Sequence, residues 1–205
     1  MLKVKLCGLT KQEDIEAVNI IKPDYIGFVF AKSPRQINRD RAARLKSMLN
    51  PSIKTVGVFV NAQKEEIISL CKDEIIDIIQ LHGDENNRYI NSLRKQVDNK
   101  IIKAVRVKSE KDIVNAKKIN CDYLLLDAFN KNSYGGGGKA FDWTHIPQDI
   151  GPYFLAGGLN ISNIAQAVKQ CHPYSVDISS GVETGGTKDI RKMYEIVQIV
   201  RNIAN

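Results

Sequence analysis

The feature that most constrains this chain is a rhythm. Short runs rich in Val, Ile, Leu and Phe recur at Lys3–Leu6, Tyr25–Phe30, Thr55–Val60, Ile75–Leu81, Ile101–Val107, Tyr123–Asp127, Tyr153–Ala156 and Val176–Ile178. Their starts fall about 20–30 residues apart, the length of a strand, a helix and the return to a parallel neighbour. Most runs are apolar at consecutive rather than alternate positions, so each strand buries both faces, here between a barrel interior and an outer layer of helices. Eight such repeats in 205 residues predict an α/β fold, a single (β/α)8 TIM barrel over residues 1–205, at the short end of the size range for that fold. An open doubly wound sheet is the alternative, but it more often uses five or six strands. No linker rich in Pro, Gly or Ser divides the chain into two domains.

Helical patterns fill most of the gaps. Thr10 and Glu13 read as a capping box before Ile15, Val18 and Ile21 at helical spacing. Asn61 reads as the cap of a helix that turns Ile67, Ile68, Leu70 and Cys71 inward, and the last helix places Ile190, Met193, Val197 and Val200 on one side. The gap after the sixth strand is irregular, with Tyr134 and the run Gly135-Gly136-Gly137-Gly138 before Phe141-Asp142-Trp143. Four consecutive glycines predict a mobile loop, of the kind that serves as a lid.

Composition narrows the function. No apolar run approaches the roughly 20 residues needed to cross a bilayer. Met1 leads directly into the first strand pattern without room for a signal peptide, so a cytoplasmic protein is expected. The cysteines at 7, 71, 121 and 171 form no C-x-x-C pair and suggest no disulfide framework. His82, His145 and His172 lack ligand-like spacing for a metal. The net charge of +7 is scattered among acids, without the basic and aromatic cluster of a nucleic-acid groove. It suits an anionic small molecule.

In a barrel of this kind the chemistry sits on the loops after the C-terminal ends of the strands. Polar, thiol and glycine residues gather there: Cys7-Gly8 after the first strand, Ser33-Pro34-Arg35 after the second, and His82-Gly83 after the fourth. Asp127 ends the sixth, Gly157-Gly158 follows the seventh, and Asp177 to Gly181 covers the eighth. Glycine lets backbone N–H groups approach an oxyanion closely. Two such loops on adjacent strands, Gly157-Gly158 and Ser180-Gly181, point to phosphate rather than to a pair of simple turns. Cys7 and Asp127, from the first and sixth strands, are positioned to face each other as base and acid. A thiolate serves as a base when a nearby N–H group or cation stabilises it, and the acid must hold a proton when substrate arrives. From spacing alone Cys7 reads equally well as a packed strand-end thiol and Asp127 as a loop cap. Arg35 offers a planar fork for a carboxylate or phosphate, although an unaided loop arginine is more often solvated. His82 reads as a polar lining residue or as a structural hydrogen-bonding histidine.

Taken in order, these segments resemble the phosphoribosylanthranilate isomerase family over nearly the whole chain. The motifs are Lys5-Leu6-Cys7-Gly8-Leu9-Thr10, Gly27-Phe28-Val29-Phe30 with Ser33-Pro34-Arg35, Val56-Gly57-Val58-Phe59, and Gln80-Leu81-His82-Gly83. Leu124-Leu125-Leu126-Asp127, Leu155-Ala156-Gly157-Gly158-Leu159 and Val176-Asp177-Ile178-Ser179-Ser180-Gly181-Val182-Glu183 complete the set. The resemblance implies an Amadori rearrangement of N-(5-phosphoribosyl)anthranilate in tryptophan biosynthesis, without metal or organic cofactor. It makes Cys7 the general base, Asp127 the general acid and Arg35 the partner of the anthranilate carboxylate. Gly157, Gly158, Ser180 and Gly181 become the phosphate cradle, with His82 and Asp177 elsewhere on the active face. The expected partner is a small phosphosugar substrate, with no nucleic acid and no membrane, in a monomer or homodimer.

Two loops depart from the family pattern. Gly137 stands where the family's glycine loop carries Thr or Ser, and Thr184-Gly185-Gly186-Thr187-Lys188-Asp189 lacks a proline and is one residue shorter. Both changes are expected to act on loop order or substrate affinity and to leave the acid and base in place. Rival readings lack their signatures. The histidine-pathway Amadori isomerase resembles a two-aspartate design, ribulose-phosphate epimerases resemble metal-binding barrels, and indole-glycerol-phosphate synthase calls for a catalytic lysine and glutamate. A silent phosphate-binding barrel would keep the glycine loops without needing Cys7 and Asp127 together.

Overall fold

The computed structural model describes residues 2–128 and 141–204. Eight parallel strands close into a barrel in sequence order, each hydrogen-bonded to the next and β8 to β1. They are β1 (Lys3–Cys7), β2 (Tyr25–Val29), β3 (Lys54–Phe59), β4 (Ile78–Leu81), β5 (Lys100–Val107), β6 (Tyr123–Ala128), β7 (Tyr153–Leu155) and β8 (Ser175–Ile178). The helices are α1 (Gln12–Ile21), α2 (Arg39–Ser47), α3 (Lys64–Lys72), α4 (Asn87–Arg94), α5 (Glu110–Ala116), α6 (Ile164–Cys171) and α7 (Ile190–Ala204). Between β6 and β7 the described residues hold only a 3-10 turn, Trp143–His145, and the expected glycine loop at 135–138 lies outside them. A two-stranded ribbon, β9 (Glu183–Thr184) and β10 (Thr187–Lys188), follows β8. No helix among the described residues is long and apolar enough to cross a membrane.

Most strands are apolar on both faces because they serve two cores. Val4, Leu6, Ile26, Phe28, Ile79, Leu81 and Ile178 face outward onto the helices. A separate cluster of Val56, Ile78, Ile102, Ala104, Leu125, Phe154 and Ala156 fills the barrel interior. Tyr25, Tyr123 and Tyr174 pack against that cluster, with Tyr123 and Tyr174 stacked at 5.0 Å and the hydroxyls of Tyr25 and Tyr174 3.0 Å apart. The interior is thus apolar and aromatic toward the N-terminal end of the strands. Toward the C-terminal end it turns polar, with Lys5, Gln80, Asp127 and Asp177 all buried. Buried polar groups on that scale cost free energy unless paired, and their concentration at one end marks where the chemistry lies.

Several local expectations need correction. The first helix is held by Asp14, not by Thr10 and Glu13: the Asp14 carboxylate accepts from the N–H groups of Thr10 and Lys11 at 2.8 and 2.9 Å, and Glu13 is exposed. Asp14 is one residue deeper, where a carboxylate reaches two of the unpaired N–H groups together. Asn61 does not cap α3, which starts behind Gln63. It adopts a left-handed backbone (φ 51°), and its side-chain oxygen accepts from Asp84 N–H, tying the loop after β3 to the loop after β4. Ile68 is only partly buried, while Ile67, Leu70 and Cys71 face the core. On α7, Ile190 is half exposed and Ile196 joins Met193, Val197 and Val200 in the core instead. Ile75 and Ile76 precede β4, because Asp77 turns the chain by accepting from the Thr55 N–H and hydroxyl.

Candidate active site

At the C-terminal end of the barrel lies a cavity of about 550 Å³, within the usual range for small-molecule sites. Cys7, Arg35, Gln80, His82, Asp127, Gly157, Gly158, Asp177 and Ser180 all line it. Of the residues expected from the sequence, only Gly181 is not on its wall. A Cβ at Gly181 would sit 1.9 Å from the carbonyl oxygen of Leu159, so this glycine lets the loop after β8 lie directly against the loop after β7. No cluster of three or more His, Cys, Asp or Glu fit to hold a metal occurs among the described residues.

Asp127 occupies the end of β6 and is 6% exposed. Its Oδ2 lies 3.1 Å from His82 Nε2, and His82 Nδ1 lies 3.0 Å from Gln80 Nε2. The Gln80 amide can only donate through that nitrogen, so Nδ1 accepts and Nε2–H donates to Asp127. Gln80 Oε1 is left buried without a hydrogen-bond partner. Turning the amide would place Oε1 on Nδ1–H, reverse the tautomer, and leave Nε2 to accept a proton from Asp127. Each protonation state of the carboxyl group therefore has a matching orientation of Gln80. Gly157, with φ at +83°, backs the same group: a Cβ there would lie 2.4 Å from Ala128 N and 3.1 Å from Asp127 Oδ1.

Across the mouth, the Cys7 thiol is 7% exposed. Burial pushes it above its ordinary range, Lys5 and Lys188 pull it down, and Asp177 pushes it up. The sulfur rests against β2, where a Cβ at Gly27 would come within 2.5 Å of it. The Ser179 hydroxyl donates to the Cys7 carbonyl at 3.1 Å and locks the end of β1 to the loop after β8.

The Arg35 fork is occupied. Its Nε and Nη2 donate to the two oxygens of Glu183 at 2.7 and 2.8 Å. Glu183 also accepts from Lys188 Nζ at 2.7 Å, and that lysine in turn donates to the Ser179 carbonyl. Burial alone would raise the Glu183 carboxyl, but the two cations hold it below the usual carboxylate range. Arg35 is raised above the ordinary guanidinium value by its bonds to Glu183. Glu183, the partner of Arg35, stands immediately before the loop 184–189 that departs from the family pattern, and Lys188 within that loop braces it. The loop after β7 is braced by the side-chain amides of Asn160 and Asn163, which both donate to the Gly158 carbonyl at 3.1 and 3.0 Å.

Sequence reasoning missed three features. Lys5 is fully buried and bonded to Asp177 at 2.9 Å through both carboxylate oxygens; its only signal is a charged residue inside an apolar strand. Glu183 lies 148 residues from Arg35, a separation that no local pattern reveals. Lys32, at the rim of the cavity, is exposed and has no ion-pair partner among the described residues.

A closed (β/α)8 barrel with a thiol, a carboxyl group and two glycine loops around one cavity defines a class: barrel enzymes that work on small phosphorylated molecules by acid–base chemistry. Comparison with known proteins narrows the class. The family model described as N-(5'phosphoribosyl)anthranilate (PRA) isomerase matches residues 4–199. The N-(5'-phosphoribosyl)anthranilate isomerase of Endomicrobium trichonymphae is 48% identical over 203 residues, covering 99% of this chain and all of that one. The crystal structure of phosphoribosyl anthranilate isomerase from Thermotoga maritima superposes with a TM-score of 0.90 at 34% identity, covering 98% of this chain and 100% of that one. A phosphoribosyl anthranilate isomerase in complex with reduced 1-(o-carboxyphenylamino)-1-deoxyribulose 5-phosphate gives 0.83 at 31% identity over the same shares. The chain belongs to the N-(5'-phosphoribosyl)anthranilate isomerase family.

Proposed function

We propose that Cys7 and Asp127 divide the base and acid work of the family's reaction in this chain. The chain is an isomerase acting on N-(5'-phosphoribosyl)anthranilate in tryptophan biosynthesis, carrying out an Amadori rearrangement of aminoaldose to aminoketose. Asp127 gives a proton to the ring oxygen and opens the furanose to a protonated imine. The Cys7 thiolate removes the proton from C2 and leaves an enolamine. Ketonisation adds a proton at C1 and releases the one on the C2 hydroxyl. Two protons are gained, at the ring oxygen and C1, and two are lost, from C2 and its hydroxyl, so both groups end as they began.

The observation that carries this reading is that Cys7 from β1 and Asp127 from β6 line one cavity. The loops after β7 and β8, Gly157-Gly158 and Ser179-Ser180, are the cradle for the substrate phosphate, with Gly181 allowing them to touch. Arg35, after β2, receives the anthranilate carboxylate beside the end of β1. A substrate held at both ends has its C1 and C2 atoms between the thiol and Asp127. With substrate in place the guanidinium serves two carboxylates, or Glu183 yields its position. His82 orients Asp127 and switches tautomer as the carboxyl gains and loses its proton, with the Gln80 amide turning to match.

The test is loss of anthranilate fluorescence after generating phosphoribosylanthranilate in situ. Wild type is expected to be active, and Cys7→Ala and Asp127→Asn each to lower turnover by roughly 10²–10⁴-fold or more, with binding of phosphate ligands retained. Unchanged turnover in either variant removes that residue from the mechanism.

A further inference from the structure

Lys5 has no part in the assignment above, yet it heads the fully buried side chains by volume among the described residues. It lies two positions before Cys7 on β1, so both side chains leave the strand on the same face, into the barrel. An isolated ammonium in such a place costs several kcal/mol. Asp177, its register partner on β8, answers that cost, with both carboxylate oxygens 2.9 Å from Nζ. Two of the three ammonium hydrogens suffice for Asp177. The third hydrogen stays on the face of β1 that also carries Cys7, and Lys5 and the sulfur interact electrostatically. The sulfur has no space to retreat across β2, because Gly27 already lies against it. A buried ion pair is a poor stabilising device, since apolar residues of the same volume do as well or better. Its place beneath the reactive thiol gives it a different use.

We propose that Lys5 is a positioning residue for the reaction: its ammonium, fixed below Cys7 by Asp177, is the counter-cation that lets the sulfur give up its proton inside the barrel, and Asp177 limits how much of that charge the sulfur receives. This rests on the reading of Cys7 as the base. Charged groups around the sulfur include Lys5 from β1, Asp177 from β8, Lys188 from β10 and Arg35 from the loop after β2, with Asp127 from β6 on the far wall of the cavity. Glu183 binds both Arg35 and Lys188 and ties them to the ribbon after β8, while Lys5 shares the inward face of β1 with Cys7 and is the leading charge favouring its thiolate. The two members of the buried pair act on the thiol with opposite signs, Lys5 favouring the thiolate and Asp177 opposing it.

That opposition makes the test specific. Per-site alkylation by iodoacetamide, read by mass spectrometry from pH 7 to 10.5, follows the thiolate fraction of Cys7 without needing substrate, with Cys71, Cys121 and Cys171 as internal references. Lys5→Met is expected to slow alkylation of Cys7 about tenfold or more at a given pH. Asp177→Asn is expected to speed it by a similar factor, each factor of ten being one unit in the thiol titration. The rise of kcat/KM with pH should move the same way, upward in pH for Lys5→Met and downward for Asp177→Asn. The double variant Lys5→Met/Asp177→Asn removes both charges, avoids an unpaired buried carboxylate if Lys5→Met does not fold, and should alkylate more slowly than wild type. Structural damage alone would move both single variants in one direction. Equal or same-sign shifts in the two, or a double variant as fast as Asp177→Asn, would overturn the proposal. Because alkylation reads the thiol directly, absence of isomerase activity would sink the functional reading and leave this result standing.

Discussion

Gly157→Ala tests the placement of Asp127 without replacing an ionisable group. The added Cβ would lie 2.4 Å from the backbone nitrogen of Ala128, whereas ordinary contact begins at 3.4 Å, so the loop after β7 and the end of β6 must part by about 1 Å (3.4 − 2.4). No rotamer relieves the clash, since the atom struck belongs to the backbone. A displacement of about 1 Å at a catalytic group costs on the order of 10²-fold in rate. The left-handed conformation at +83° adds roughly 1–2 kcal/mol of strain for a residue with a side chain. Gly151→Ala separates the two effects: Gly151 sits at +77° with nothing within 4 Å of its would-be Cβ, and it lies off the cavity wall. Both variants should lose a similar small increment of thermal stability from strain. Only Gly157→Ala should lose kcat, by about 10²-fold, in the fluorescence assay. A folded Gly157→Ala enzyme with kcat within threefold of wild type would refute the argument that this contact positions the acid.

Three further outcomes follow from the geometry. Arg35→Ala should raise KM for the carboxylate-bearing substrate by about 10–100-fold, the value of a charge-assisted bond of roughly 1.5–3 kcal/mol, and leave a descarboxy analogue unaffected; an equal loss with the analogue contradicts the assignment. His82→Leu removes the bond to Asp127 and should lower kcat by about tenfold or more with little change in KM; a pure KM effect would make His82 a binding residue. Burial alone would raise the Asp77 carboxyl, but Lys46 and the Thr55 backbone and hydroxyl hold it below the usual carboxylate range. Its contribution to stability is therefore present above the unfolded carboxylate value and lost as pH falls through the lower folded one. Lys46→Met should move the acid-unfolding midpoint to higher pH in circular dichroism; an unchanged midpoint would show that Lys46 is not what depresses Asp77.

The barrel was legible in the sequence because a strand buried on two sides needs consecutive apolar residues, and few other structures produce eight such runs at even spacing. Boundaries failed where a side chain overrode the pattern. Ile75 and Ile76 read as strand until Asp77, bonded to Thr55 and Lys46, is seen to turn the chain before Ile78. Asn61 has the chemistry of a cap and spends it on a neighbouring loop. Cys7, Asp127 and the glycines were legible because this topology sends every strand end to one face, so a list of strand ends is already a list of neighbours. What connects them was not. Arg35 and Glu183 meet only through the closure of the barrel, in which β8 pairs with β1 and β1 with β2.

Lys5 was hidden for a different reason. On a half-exposed strand a lysine belongs on the wet face, and the residues around it carry no sign that this strand has none. The barrel interior supplies the missing condition: at the Lys5↔Asp177 register, closure brings an acid to a lysine that cannot reach water. A charged residue inside a run that is apolar on both faces therefore predicts an opposite charge one strand away, at the same level. When that level lies next to a strand-end nucleophile, the pair is a candidate for setting its protonation. Here the rule singles out Lys5 and Asp177 beneath Cys7. Lys103 on β5 falls outside it: its register partner on β4 is Leu81, and its ammonium reaches past the strand end to Glu85 at 3.1 Å and the carbonyl of Gly83 at 2.6 Å. No thiol or substrate-facing carboxyl stands over that second pair, and the Glu85 carboxylate instead binds the N–H groups of Asn61 and Gly83. A buried lysine thus meets its acid across the strands beneath the reactive thiol at β1, and through a loop that it helps to hold at β5.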